Sequence, residues 1–285
     1  MTRTALAYLY ESCPSVFVKE RLGFTPDEHQ REYLDSNAPE MLLLWCRQAG
    51  KTTSSAAKAV HYAIHHNDSL VLVASASQKQ AGILQGRALA MIRFMHRSES
   101  WKIIGETSGY ENDPVDSNSR LVRCAVMSLQ LSSGSEIISV PASPDTVRGY
   151  SPQLIILDEA ARIDDDVYDA IRPMRIVTHA QLIAMTSAGS KRGWFYDAWL
   201  SKDPGWYRQE VKATDCPRIT PEWLAREKVT TPDLIYRREY ENEFIELEGG
   251  LFSAEDIAGM LVDDLGLEPI ARPWVPDDLT VGVYD

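Results

Sequence analysis

The feature that most constrains this fold is one junction, Trp45-Cys46-Arg47-Gln48-Ala49-Gly50-Lys51-Thr52-Thr53, set between an apolar run and an alanine-rich stretch. The run at 41–46 (MLLLWC) has the length and composition of a strand buried on both faces, and 51–66 reads as a helix. Gly-Lys-Thr at a strand-to-helix turn is the core of a P-loop. Unpaired amides at the helix start and the helix dipole favour anions there. Lys51 would reach the β- and γ-phosphates of a nucleotide, and the Thr52 hydroxyl would ligate Mg²⁺. The standard pattern carries a glycine five residues before Gly50, where this chain has Trp45. Taken alone, the incomplete motif also fits a chance Gly-Lys-Thr at a helix start.

A second motif decides between these readings. Residues 154–161 (LIILDEAA) place two acids at the end of another apolar run. Asp158 is expected to hold Mg²⁺ and Glu159 to polarise a water against the γ-phosphate. The bland alternative is a pair of acids capping the next helix. The two motifs stand about a hundred residues apart, in the order P-loop then acids, each at the carboxyl end of a strand. That end is where open α/β sheets bind ligands. Together they predict nucleotide hydrolysis.

Further apolar runs at 69–74, 136–140, 153–157 and 181–185 predict core strands, and 27–34 and 78–97 predict helices. Strands alternating with helices predict a parallel sheet covered on both faces. Residues 100–135 read as an insertion with a hairpin near 121–127. From about residue 194 the pattern turns charged and amphipathic, with helices expected at 193–200, 221–229 and 232–243. The expected organisation is a core at 1–192, a helical lid at 193–260, a linker at 261–278 and an apolar strand at 279–285 ending in Asp285.

The formal net charge of −12 argues against DNA gripped over the whole surface, so any DNA contact should be local, transient or made by another domain. No apolar run approaches the roughly 20 residues that span a bilayer, and no membrane partner is expected. Residues 1–10 lack the pattern of a signal peptide. The four cysteines form no CxxC pair and suggest neither a zinc site nor a disulfide framework.

Other clusters have plainer readings. Asp164-Asp165-Asp166 fits a helix start, where acids meet the dipole, better than a metal cluster. His61 and His65 share a helical face, but without a third ligand they read as a partly solvated helix end. Trp194, Trp199 and Trp206 read as packing rather than a base-stacking platform. Arg148 has a salt bridge to nearby acids as its bland alternative. Arg47 could anchor the loop, and Thr186-Ser187 could cap a turn.

The chain resembles the ATPase domain of phage large terminases. The likeness rests on 47–53 (RQAGKTT) without a leading glycine, on 141–149 (PASPDTVRG) shortly before the DEAA strand, and on Thr186-Ser187-Ala188 ending the next strand. Pro26 and Gln30 ahead of the first strand, and residues 248–252 (EGGLF), add to it. The resemblance implies the additional-strand, catalytic-glutamate class of P-loop NTPase, with a small helical lid. It implies that Gln30 reads adenine, that Arg47, Gln48, Ala49, Gly50, Lys51, Thr52 and Thr53 bind ATP, and that Thr186 and Ser187 couple hydrolysis to movement. Arg148 becomes a finger acting on a neighbouring subunit. The implied partners are double-stranded DNA, a portal protein, a small terminase subunit and further copies of the chain in a ring. The implied place of action is the host cytoplasm, on a viral procapsid. The strand at 279–285 resembles the start of a ribonuclease-H-like nuclease, of whose metal ligands only Asp285 is present, so no nuclease activity is expected of this chain. The rival readings are another nucleic-acid motor such as a helicase, for which the last ninety residues look short of a second domain, and a non-hydrolysing nucleotide-binding assembly subunit, against which Glu159 argues.

Overall fold

A computed structural model of the chain describes residues 3–97, 120–125 and 127–246. Expectations for 98–119, for the segment 248–252, for the linker at 261–278 and for the strand carrying Asp285 lie outside the described residues. The described residues fall within one compact unit.

The helices are α1 (Arg3–Ser12), α2 (Pro14–Arg21), α3 (Glu28–Asp35), α4 (Lys51–His65), α5 (Gln78–Arg97), α6 (Pro144–Val147), α7 (Asp165–Thr178), α8 (Trp194–Leu200), α9 (Pro221–Thr230) and α10 (Asp233–Tyr240). The strands are β1 (Glu40–Trp45), β2 (Leu70–Ser75), β3 (Leu121–Cys124), β4 (Ser128–Leu131), β5 (Glu136–Pro141), β6 (Leu154–Asp158), β7 (Gln181–Thr186) and β8 (Tyr207–Val211). They form one sheet in the order β3-β4-β5-β2-β6-β7-β1-β8. All pairings from β5 to β8 are parallel. The hairpin β3–β4 extends the sheet antiparallel at one edge, within the segment whose sequence predicts a hairpin.

The central strands are buried on both faces, which is why they read as unbroken apolar runs. Met41, Leu43, Trp45, Val73, Ile156 and Met185 face a cluster shared with α4 and α5. Leu42, Leu44, Leu72, Ile155 and Ala184 face the opposite cluster, closed by Val167, Ile171, Trp194 and Phe195. Trp194 and Trp206 are therefore packing residues, as expected. Strand β7 lies between the P-loop strand β1 and the acid-bearing strand β6. That inserted strand is the additional strand of the expected class.

Two readings change. The sequence predicts a helical segment from residue 193, and α8, α9 and α10 are there. Yet β8 lies among them and pairs in parallel with β1, so the segment adds a strand to the sheet and packs into the same unit as the core. His61 and His65 are not at a solvated helix end. Their rings stack at 4.4 Å and both meet Phe17 edge-on. Burial holds His61 well below its ordinary range and brings His65 down to about 4, so both are neutral packing residues.

Candidate active site

The loop after β1 carries two left-handed residues, Gln48 (φ 66°) and Gly50 (φ 90°), and Gly50 caps α4. Left-handed residues of this kind build the concave N–H nests that bind anions. At Gly50 the requirement for glycine is double. Beyond its φ, a Cβ would run into the Gln30 amide. That amide cannot swing away cheaply, because Gln30 is fully buried, donates to Ala49 O at 3.0 Å and accepts from Asp27 N at 2.9 Å.

Lys51 is buried and donates from Nζ to Trp45 O (3.0 Å) and Cys46 O (3.1 Å). Trp45 occupies the expected glycine's position without filling the site. Its ring lies in the core against His29 and Tyr33 and donates to Gln209 Oε1 at 3.1 Å. The departure from the standard motif is thus absorbed on the far side of the strand.

The back of the loop is held by residues distant in sequence. Arg218 donates to Ala49 O at 3.1 Å and pairs with Asp27 at 3.1 Å. Arg47 N donates to Glu239 O at 2.8 Å, and its side chain reaches Glu239 at 4.0 Å while remaining mostly exposed. Asn242 Nδ2 donates to Leu44 O (3.1 Å) and Val211 O (2.9 Å), tying the chain beyond α10 to β1 and β8. Arg47 thus does have the anchoring contact weighed for it. Cys46 and Cys216 meet at 3.7 Å, both as free thiols.

Asp158 ends β6 in register with Ser75 on β2 and Met185 on β7. Glu159 follows with a left-handed φ of 55° and opens a tight turn at Ala160–Arg162. A non-glycine residue in this conformation costs on the order of 1–3 kcal/mol, a strain that tends to persist where function needs it. Glu159 lines a cavity of about 210 Å³ with Arg47, Gln48, Gly50, Lys51, Thr52, Thr53 and Arg87.

Asp158 is 3% exposed, and burial, reinforced by the adjacent Glu159 charge, raises its carboxyl from 3.8 to about 6. Its Oδ1 and Glu159 Oε2 are buried without a hydrogen-bond partner among the described residues. Buried carboxylate oxygens left so call for a cation or a polar ligand. Hard oxygen donors of this kind, with Thr52 lining the same cavity as Glu159, suit Mg²⁺.

The remaining expected residues lie further off. Thr186, buried at the end of β7, donates to Ser187 O at 2.8 Å, and its register with Leu44 sets it between the P-loop strand and the Asp158 strand. Arg148 caps α6, is 65% exposed, pairs with Asp145 at 3.9 Å and does not line the cavity. Asp164 caps α7, Asp165 and Asp166 lie in its first turn, and Asp165 accepts from Trp194 N at 2.7 Å, in line with a helix-start role for 164–166. Arg87 carries no signal in the sequence. It lies on the exposed side of α5, and only the packing of α5 on α4 brings it to Thr53, to whose hydroxyl it donates.

Residues 42–258 match the family model described as terminase large subunit, T4likevirus-type, N-terminal. The chain belongs to the terminase large subunit family. It is 24% identical to the terminase large subunit of Thermus phage G20c over 93% of this chain and 58% of that protein. The same identity and coverage hold for that of Thermus virus P23-45. This terminase chain thus spans a little over half the length of those relatives. The ATPase domain of the Thermus phage P74-26 large terminase superposes with a TM-score of 0.62 at 23% identity, covering 81% of this chain and 99% of that one. The HK97 large terminase gives 0.61 at 18%, covering 82% and 55%. The large terminase of a thermophilic bacteriophage, solved in complex with ADP, gives 0.55 at 13%, covering 76% and 53%. This terminase chain therefore has the P-loop ATPase fold of large terminases, and no described helix is long and apolar enough to cross a membrane.

Proposed function

We propose that this terminase domain hydrolyses ATP to ADP and phosphate and thereby drives double-stranded DNA into a procapsid. The observation that carries the reading is the meeting of the P-loop and Glu159 on one small polar cavity, with the buried, unpartnered carboxylate of Asp158 one residue before Glu159 at the same strand end. Complexes of the thermophilic-phage terminase with ADP and with ATP-gamma-S support a nucleotide there.

The phosphate chain lies over the start of α4, where the loop amides and Lys51 meet its charge. Thr52 and Asp158 would hold Mg²⁺, which when bound would supply neutralisation of phosphate charge. Glu159 accepts a proton from water as the water oxygen attacks the γ-phosphorus; the bond to the bridging oxygen breaks and ADP leaves with that electron pair. Such chemistry needs positioning and charge more than covalent help, which suits a rigid strand-end site. Arg47 borders the cavity and binds ATP with the loop, whereas Gln30, buried with its amide engaged by Ala49 O and Asp27 N, props the loop from behind rather than reading adenine in this conformation. Thr186, at the end of the strand between the two motifs, and Ser187, just after it, pass the change at the γ-phosphate to the rest of the chain. Arg148, exposed and outside its own cavity, acts on the nucleotide of a neighbouring subunit in a ring. The ring docks on a portal protein with a small terminase subunit in the host cytoplasm.

Phosphate release measured with and without double-stranded DNA tests the reading. Mg²⁺-dependent release that rises with DNA and disappears in Lys51→Ala supports a packaging ATPase. Nucleotide binding without turnover under any condition would favour a nucleotide-binding assembly subunit.

A further inference from the structure

Among the described residues, three arginine or lysine side chains line the cavity besides the backbone nest, and two are already engaged. Lys51 donates to the carbonyls of Trp45 and Cys46, and Arg47 is tethered to Glu239. Arg87 differs. Among the described residues it has no carboxylate within salt-bridge distance, and it donates to a neutral hydroxyl, Thr53 Oγ1. It comes from α5, outside both nucleotide motifs, and shares the cavity wall with Glu159.

A guanidinium held only by a hydroxyl gains when a phosphate oxygen replaces that acceptor. Its planar fork matches phosphate geometry, and charge-assisted bonds are about twice as strong as neutral ones. The position selects which phosphate it meets. Arg87 lines the same cavity as Glu159, the carboxylate assigned to the attacking water, so the phosphate it would meet is the one that water attacks. Arg87 is also close enough to Asp158 to favour its charged form. A cation at that point both recognises the third phosphate and offsets the cluster of acids around it.

We propose that Arg87 is a catalytic residue of its own chain that binds the terminal phosphate of a nucleoside triphosphate, so that the site distinguishes tri- from diphosphate. The proposal rests on the reading of the cavity as an ATPase site. It is separate from the role given to Arg148, because it operates within one subunit and in the absence of neighbours.

The experiment is calorimetric titration of the full chain, at concentrations where it is monomeric, with ADP and with ATP-gamma-S in the presence of Mg²⁺. One charge-assisted bond corresponds to about ten- to a hundredfold in affinity. Arg87→Ala should weaken ATP-gamma-S by at least about tenfold, while leaving ADP within about twofold and the melting temperature unchanged, since the side chain is exposed. Equal weakening of both nucleotides would reduce Arg87 to a prop for Thr53 and overturn the proposal. Unchanged affinity for both would overturn it as well. A parent chain that binds neither nucleotide would instead bring down the ATPase reading itself, and this inference with it.

Discussion

Lys51 Nζ donates to the carbonyl oxygen of Trp45 at 3.0 Å and to that of Cys46 at 3.1 Å, so the cation of the P-loop rests on the end of the strand that leads into it. An ammonium has three donors. Two fix the side chain beneath the loop and one remains for a phosphate. Lys51→Ala should therefore lower affinity for ATP and ADP alike, by about a hundredfold, as expected for losing a charge-assisted contact in a buried site. Calorimetry with both nucleotides checks this, and affinities within twofold of the parent would contradict the P-loop assignment.

Asp158 gives a prediction about pH. Its folded-state value, about 6, lies above the ordinary 3.8, so the folded chain holds this proton more tightly than the unfolded one. The group therefore costs stability above about pH 6, and the cost fades as pH falls from 6 towards 4. Asp158→Asn removes the charge and should raise stability at pH 8 by about 1–3 kcal/mol, a gain that shrinks at pH 5 and vanishes near pH 4. The same variant should lose Mg²⁺-dependent turnover. Thermal melts across this range check the sign. A variant less stable than the parent at pH 8 would show that the buried charge already has a partner.

Gly50→Ala meets two obstacles at once, a left-handed φ and the pinned Gln30 amide. The φ alone costs roughly 1–2 kcal/mol. Gln30→Ala in the same chain should recover only the part due to the clash. Chemical denaturation of the single and double variants separates the two contributions. Full recovery in the double variant would mean that the backbone conformation carries no strain.

The central strands were legible because β1, β2, β6 and β7 are buried on both faces and so read as unbroken apolar runs. β8, whose residues are Tyr207, Arg208, Gln209, Glu210 and Val211, gave no such signal. Its charged and polar members sit at the sheet edge, where Arg208 donates to Trp199 O, Trp206 O and other carbonyls nearby, contacts that only the fold creates. Lys51, Thr52, Asp158 and Glu159 could be found because loop and strand-end chemistry forces fixed residue types at fixed spacing. Arg87, Arg218 and Asn242 could not. Each reaches the loop or the strand and helix that flank it from a segment whose approach is set by packing, and nothing local in the sequence records it. The tolerance of Trp45 was equally hidden, since it depends on the ring turning towards His29 and Tyr33.

Arg148 should matter only between subunits. It is exposed and does not line its own cavity. Specific activity should rise with protein concentration, and Arg148→Ala should remove that rise while leaving ATP affinity largely intact. A trans-acting arginine is typically worth roughly 10³–10⁵ in rate. Mixing Arg148→Ala with Glu159→Gln chains places an intact arginine against an intact glutamate at some interfaces, so activity should partly return. No recovery under conditions where the two variants associate would confine Arg148 to a structural role.

In the proposed mechanism Glu159 activates water at this cavity, and single-turnover hydrolysis by Glu159→Gln isolates that role. The amide keeps the shape of the side chain but cannot accept the proton. With radiolabelled ATP and excess protein, the variant should bind ATP as the parent does and form labelled phosphate at least about a hundredfold more slowly, in the range typical of general-base loss. Hydrolysis within twofold of the parent would contradict the account, because the carboxylate placed to take the proton would then be dispensable.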